Sequence, residues 1–225
     1  MKTILYDMDG TLVYFQIDYI KARRAAINVL EKWGLKNRYN VKNTITSAVD
    51  DARIVFGNEY GYSDEKIGEI LNEVNDAIVT IEEQAAHIAK PITNIEHLLR
   101  FGKKHNLQHI ICTYNTHRVA ELTLKTAKLY QYIDDIYGRD DVDEAKPSTV
   151  HLNAAIEKYS IKPENTILIG DHGADIQLGV NFGCTTIAVI TEHNKDSLVK
   201  SDFSVEQSNI ADDVMKIIKD NFTLM

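Results

Sequence analysis

Ile4-Leu5-Tyr6-Asp7-Met8-Asp9-Gly10-Thr11-Leu12 is the stretch that decides how the rest of the chain is read. Three apolar residues lead straight into two carboxylates and a glycine. So short an apolar run predicts a strand buried on both faces, the kind found in parallel sheets. Gly10 lets the backbone turn sharply where that strand ends. Asp7 and Asp9 are two residues apart, with Met8 between them, so in a regular strand both side chains point to the same side. Two carboxylates placed together repel unless a cation or a shared proton lies between them. The pair is expensive for a fold and useful for chemistry, although an acidic strand end that only caps a turn would read the same way in isolation.

The arrangement recurs further along. Thr166-Ile167-Leu168-Ile169-Gly170-Asp171-His172-Gly173-Ala174-Asp175 is again an apolar run ending in an acid. Asp175 follows Asp171 at a spacing of four, one helical turn on and at the end of a helix that favours negative charge. Between these two stretches, residues 107–113 predict another buried strand, which runs into Tyr114-Asn115-Thr116-His117. There Thr113 offers a hydroxyl, and Asn115 or Thr116 suits a helix N-cap. Lys146-Pro147 comes next, with Pro147 suited to the first helical position, where a missing N–H matters little. Residues 184–190 predict a further strand, 202–205 an edge strand, and 210–221 a closing helix. Polar groups at the carboxyl ends of parallel strands are where ligands bind in open α/β sheets.

Residues 15–89 have a different texture. Helical spacing runs through about 17–35, with Ala26, Leu30 and Trp33 on one face and Gly34 as a stop. A second helix is expected over about 41–56, ended by Gly57. A third begins at Ser63, with Asp64 and Glu65 in its first turn, and continues toward residue 89, before Pro91. Residues 92–105 predict an amphipathic helix. An all-helical block between a first strand and an alternating strand–helix remainder marks an insertion into an α/β domain.

With 225 residues, 44% of them apolar, the chain has enough material for a large core. Its net charge of −8 argues against nonspecific binding to nucleic acid or to anionic membrane. Cys112 and Cys184 lie in apolar stretches without metal-ligand spacing, as small hydrophobes of a reducing compartment do. No signal-peptide pattern or membrane span is present, so a cytoplasmic protein is expected.

In order and spacing, Asp7-Met8-Asp9-Gly10-Thr11-Leu12, Thr113 at a strand end, Lys146-Pro147 and Gly170-Asp171 with Asp175 resemble the four motifs of the haloacid dehalogenase-like hydrolases. The helical block resembles the cap many members carry, and the likeness covers essentially the whole chain. It implies a doubly wound, mostly parallel, Rossmann-like α/β core (residues 1–14 and 90–225) with an inserted all-helical cap (15–89) that closes over the site and selects substrate. It implies Asp7 as nucleophile, Asp9 as general acid and base, and Thr113 and Lys146 as partners of the phosphoryl oxygens. It implies Mg²⁺ held by Asp7, the backbone carbonyl of Asp9, Asp171 and the phosphate, with Asp175 supporting the metal shell or Lys146. Asn115 is grouped with Thr113 and Lys146 as substrate-binding. Tyr114 stands where the family frequently has Asn, so either Tyr114 or Asn115 reaches the phosphate. His172 replaces a common Ser or Thr and reads as a turn-lining residue.

The activity implied is Mg²⁺-dependent hydrolysis of a small phosphate monoester through an aspartyl phosphate, in the style of the phosphoglycolate-phosphatase-like branch. Asp9 argues against dehalogenation, since the family's dehalogenases lack it. A sugar phosphomutase shares the same core residues. A phosphonatase would need a cap lysine, and nothing singles out Lys21, Lys32, Lys36, Lys42 or Lys66. A non-catalytic regulatory binder is the reading from another class. Arg23, Arg24 and Arg53 read as solvated helix residues, and Tyr14 and Phe15 as packing. The expected partner is a small phosphorylated metabolite, without nucleic acid or membrane, bound by a monomer or homodimer.

Overall fold

A computed structural model describes residues 2–14, 16–192, 194 and 200–223. Phe15 lies outside the described residues. Six strands, β1 (Thr3–Tyr6), β2 (Gln108–Cys112), β3 (Asp135–Tyr137), β4 (Thr166–Gly170), β5 (Thr185–Ile190) and β6 (Phe203–Glu206), form one sheet in the order β3-β2-β1-β4-β5-β6. Every pairing is parallel. Parallel strands need crossovers, and helices on both faces supply them. The fold is a mostly parallel, Rossmann-like α/β sheet.

Alternation along the strands builds two cores. Ile4, Tyr6, Ile111, Ile167 and Ile169 face one side and pack with α4 (Ile95–Lys104), α5 (His117–Thr126) and α8 (Ile210–Asn221). Leu5, Ile110, Cys112 and Leu168 face the other and meet α6 (Asn153–Tyr159) and α7 (Gly173–Phe182). Each fully buried Leu or Ile contributes about 1.5–3 kcal/mol, so runs such as residues 4–6 and 167–169 carry much of the fold.

The order reverses between β1 and β4. From β1 the sheet grows through β2 to β3 on one side, and through β4, β5 and β6 on the other. The carboxyl ends of β1 and β4 therefore flank a topological switch point. After β1 the chain turns tightly: Leu12 N–H and Val13 N–H donate to the Met8 carbonyl at 2.8 and 3.1 Å, and Gly10 has φ +82°.

The chain forms two compact units, Met1–Gln16 with Ala86–Met225, and Ile17–Ala85. The second has its own core, in which Leu30, Ala52, Phe56, Ile70 and Val74 are buried among helices α1 (Tyr19–Lys32), α2 (Ile45–Asn58) and α3 (Asp64–Ala86). Asp18, Thr44 and Ser63 cap the three starts by accepting the N–H of Lys21, Ser47 and Lys66. Two of these helices differ in their bounds from the sequence expectation. α2 begins at Ile45 because Asn40 and Asn43 close a turn on themselves, and it runs through Gly57. α3 ends at Ala86. No helix among the described residues is long and apolar enough to cross a membrane.

Candidate active site

The acids sit where the strands stop. Asp7 extends β1 by one residue, its N–H donating to the Ile169 carbonyl of β4 at 2.9 Å, and it is buried. Asp171 directly follows β4, which ends at Gly170. Asp175 lies in the first turn of α7, where its Oδ2 accepts the His172 N–H at 2.9 Å, while the His172 ring accepts from Ala174 N–H. His172 is thus the helix cap and lines the turn, as expected.

Lys146 joins these carboxylates. Its buried Nζ lies 2.6 Å from Asp7 Oδ1 and 2.6 Å from Asp175 Oδ1. Pro147 does not begin a helix. Ser148 caps a short 3₁₀ turn, Thr149–Leu152, by accepting the Val150 N–H, which moves the start of regular structure two residues on.

Asp9 and Asn115 meet across the mouths of β1 and β2: Asn115 Nδ2 donates to Asp9 Oδ2 at 2.5 Å. Thr113, buried at the end of β2, holds the Tyr137 carbonyl through its N–H at 3.0 Å, and its hydroxyl oxygen accepts the Asn115 N–H at 3.2 Å. A hydroxyl that accepts still has its proton to donate. Tyr114 does something else. Its O–H donates to the Lys146 carbonyl at 2.6 Å, and its ring centroid is 4.9 Å from Lys146 Nζ. Thr116 caps α5.

Two glycines keep the centre tight. A Cβ on Gly10 would stand 2.2 Å from Asp171 Oδ2, and one on Gly170 would stand 2.4 Å from the Asp175 Cβ. Two amides had no signal in the sequence. Gln207, just after β6, donates to the Gly10 carbonyl at 2.7 Å. Asn194 donates to the carbonyls of Asp171 at 2.6 Å and Val189 at 2.8 Å. Both contacts join segments far apart in the chain, which no local pattern announces.

The electrostatics are those of crowded acids. Burial pushes the Asp7 carboxyl well above the usual range; Lys146 pulls it back, and Asp175 and Asp171 push it further up. Burial and the neighbouring Asp175 and Asp9 push Asp171 up to about 7 against the pull of Lys146. For Lys146, burial works against the ammonium, but Asp175 and Asp7 outweigh it and hold its pKa above the ordinary lysine value. One oxygen from each of Asp7, Asp171 and Asp175 lies within 4.8 Å of the others. Three carboxylates around one ammonium leave the cluster net negative, and hard oxygen donors of this kind suit a divalent cation such as Mg²⁺. Asp175 already has one oxygen on Lys146 and the other on His172 N–H, which leaves Asp7 and Asp171 the better placed of the three for an ion.

Arg23 donates to the Val41 carbonyl, and Arg24 and Arg53 are exposed on α1 and α2. Lys32 and Lys66 form exposed ion pairs with Glu73 and Glu69. Tyr14 bonds Thr93 through its hydroxyl. Cys112 and Cys184 are buried free thiols, both pushed up to about 12 by burial, and so are not nucleophiles at neutral pH.

Residues 4–189 match the family model described as haloacid dehalogenase-like hydrolase. Pyrophosphatase PpaX of Bacillus mycoides (strain KBAB4) is 25% identical over 189 residues, covering 84% of this chain and 83% of that one. Among solved structures, β-phosphoglucomutase (pgmB) from Clostridium difficile superposes with a TM-score of 0.70 at 19% identity, covering 98% of each chain. A hydrolase from Pseudomonas syringae superposes with a TM-score of 0.66 at 18% identity, covering 99% of this chain and 100% of that one. At these identities the two structures speak for the fold alone.

Proposed function

Since the chain belongs to the haloacid dehalogenase-like hydrolases, we propose that it is a Mg²⁺-dependent phosphatase acting on a small phosphate monoester through a phosphoryl-enzyme on Asp7. The observation that carries this reading is the buried Asp7–Lys146–Asp175 ion pair cluster at the switch point, with Asp9 held by Asn115 beside it. A buried ammonium on the attacking carboxylate is poorly suited to stability and well suited to neutralising an incoming phosphoryl group.

In this mechanism an Asp7 oxygen attacks phosphorus and the bond to the leaving oxygen breaks. Asp9 gives its proton to that oxygen, so the alcohol departs neutral. Asp9, now a carboxylate, takes a proton from water as the water attacks the aspartyl phosphate. The Asp7–phosphorus linkage breaks, inorganic phosphate leaves, and both acids return to their starting states. The Lys146 ammonium and the Thr113 hydroxyl oppose the charge on the equatorial oxygens. Asn115 orients Asp9, so its substrate-binding role is indirect in this reading. Asp7 and Asp171, with the backbone carbonyl of Asp9, would hold Mg²⁺, which supplies further charge neutralisation at the phosphoryl oxygens.

A second reading rests on the likeness to a protein named pyrophosphatase. The same residues would serve a phosphoanhydride, with phosphate as the leaving group. One assay separates the readings: phosphate release from p-nitrophenyl phosphate, a panel of small esters and inorganic pyrophosphate, with and without Mg²⁺, beside Asp7→Asn. Mg²⁺-dependent ester turnover lost in the variant supports the monoesterase. Turnover confined to pyrophosphate supports the second reading. No turnover by a folded, Mg²⁺-binding protein rejects both and moves the weight to a mutase or a binding protein.

A further inference from the structure

Lys146 must deliver its ammonium to two carboxylates from a segment with little regular structure. Its four-carbon stem is flexible, so its placement depends on how its backbone is held. Both polar atoms of that backbone are taken by side chains from elsewhere. The Tyr114 O–H donates to the Lys146 carbonyl at 2.6 Å. The Lys146 N–H donates to His151 Nδ1 at 3.1 Å.

His151 is fully buried in the turn Thr149–Leu152. Its Nε2 lies 2.9 Å from the Tyr137 carbonyl. A carbonyl only accepts, so Nε2 carries the ring proton. A backbone N–H only donates, so Nδ1 presents its lone pair. The imidazole is therefore neutral and locked in one tautomer. Burial, aided by the charge of Lys146, also holds its pKa below the ordinary value, against the Tyr137 carbonyl's pull the other way. The same Tyr137 carbonyl accepts the Thr113 N–H at 3.0 Å. One carbonyl at the end of β3 thus anchors the backbone of Thr113 directly and that of Lys146 through His151.

We propose that His151 is a positioning residue that sets the Lys146 ammonium relative to Asp7 by accepting the Lys146 N–H at Nδ1, the Tyr137 carbonyl serving to fix the tautomer that leaves Nδ1 able to accept. The proposal rests on the phosphatase reading above. In this role His151 acts through Lys146, by its hydrogen bonds to the Lys146 N–H and the Tyr137 carbonyl. A histidine that merely fills the core would need no particular tautomer and no partner on a catalytic lysine. Misplacement of a catalytic group by about 1 Å can cost about a hundredfold in rate, so the bridge has a rate consequence out of proportion to its single hydrogen bond.

Two variants separate the two arms of the bridge. His151→Asn places an oxygen near the Nδ1 position, keeping an acceptor for Lys146 N–H and losing the bond to Tyr137. His151→Gln reaches toward the Tyr137 carbonyl with an N–H and loses the acceptor for Lys146. With p-nitrophenyl phosphate and Mg²⁺, kcat is expected to stay within about threefold of wild type for Asn and to fall about tenfold or more for Gln, with KM and circular dichroism unchanged in both. A long-range ¹H–¹⁵N correlation on folded wild-type protein is expected to show His151 as the Nε2–H tautomer. Equal kcat in the two variants, a greater loss in Asn, or an Nδ1–H tautomer would overturn the proposal. If either variant does not fold, the tautomer decides alone. Wild-type protein inactive on every ester overturns the phosphatase reading; active wild type with an equally active Gln variant overturns the positioning role only.

Discussion

Lys146 is the residue on which both stability and chemistry turn, because its ammonium is the charge partner of two buried carboxylates. Lys146→Met keeps most of the volume and removes the charge. Asp7 and Asp175 then remain buried against each other without their cation. Breaking a buried pair in this way costs about 3–5 kcal/mol, so urea unfolding should shift by that amount and ester turnover should disappear together with it. An unchanged midpoint would mean the cluster is wetter than its burial indicates. Gly10 is the second sensitive residue. Its φ of +82° is left-handed, and a side chain there would run into Asp171. Gly10→Ala should cost about 1–2 kcal/mol in backbone strain alone, read as a lower melting temperature. It should also reduce turnover at least about tenfold by displacing Asp171. Wild-type activity in that variant would show that Asp171 has room to move.

At the scale of elements, β2 and α4 meet at a buried polar contact that makes the fold pH-sensitive. His109 on β2 stacks on Tyr6 of β1, its Nδ1 3.1 Å from the Tyr6 hydroxyl, while its Nε2 is buried against Gly102 of α4 with no hydrogen-bond partner among the described residues. Burial, aided by Lys103 and opposed by Asp134, lowers its pKa to about 4. The unfolded chain takes up a proton near pH 6.5 and the folded chain does not until about pH 4, so stability from this group is complete above 6.5 and is lost as pH falls between the two values. The loss approaches about 3 kcal/mol. Urea midpoints from pH 7 to 4 should follow that slope, and Tyr6→Phe/His109→Leu should flatten it; a slope equal in both proteins would place the acid sensitivity elsewhere. This contact also marks where sequence reading stops. The strand ends at Asp7, Thr113 and Asp171 are legible because a short apolar run followed by a polar residue is a local pattern. α8 is legible over residues 210–221 for the same kind of reason. The start of α2 is less so, because the Asn40–Asn43 turn competes with the helix over a few residues. The pairings of Asn115 with Asp9 and of Gln207 with Gly10 are not legible at all, since they are consequences of sheet order rather than of spacing.

For the whole molecule, the acid cluster trades stability for binding. The chain is net acidic at −8, and the carboxyl groups of Asp7, Asp171 and Asp175 are gathered at one end of the sheet. Burial, Asp175 and Asp9 work against the Asp171 carboxylate there, with Lys146 and a backbone hydrogen bond in opposition. Natural sites often keep such locally unfavourable charge because function needs it. If Asp171 serves an ion, a ligand that binds only the folded state must stabilise that state by mass action, about 2.7 kcal/mol at one hundred times its dissociation constant. Mg²⁺ should therefore raise the melting temperature of the wild-type protein in a concentration-dependent way, whereas Ca²⁺-free, Mg²⁺-free buffer should not. Asp171→Asn removes one repelling charge and should melt at or above the metal-free wild type. The same variant should lose the response to Mg²⁺. The two effects have opposite signs in one variant, which separates a binding residue from a structural one: a structural acid would lower the metal-free melting temperature when replaced. If Asp171→Asn melts lower without metal and still responds to Mg²⁺, the ion is held elsewhere, and Asp171 belongs to the support of the turn that follows β4.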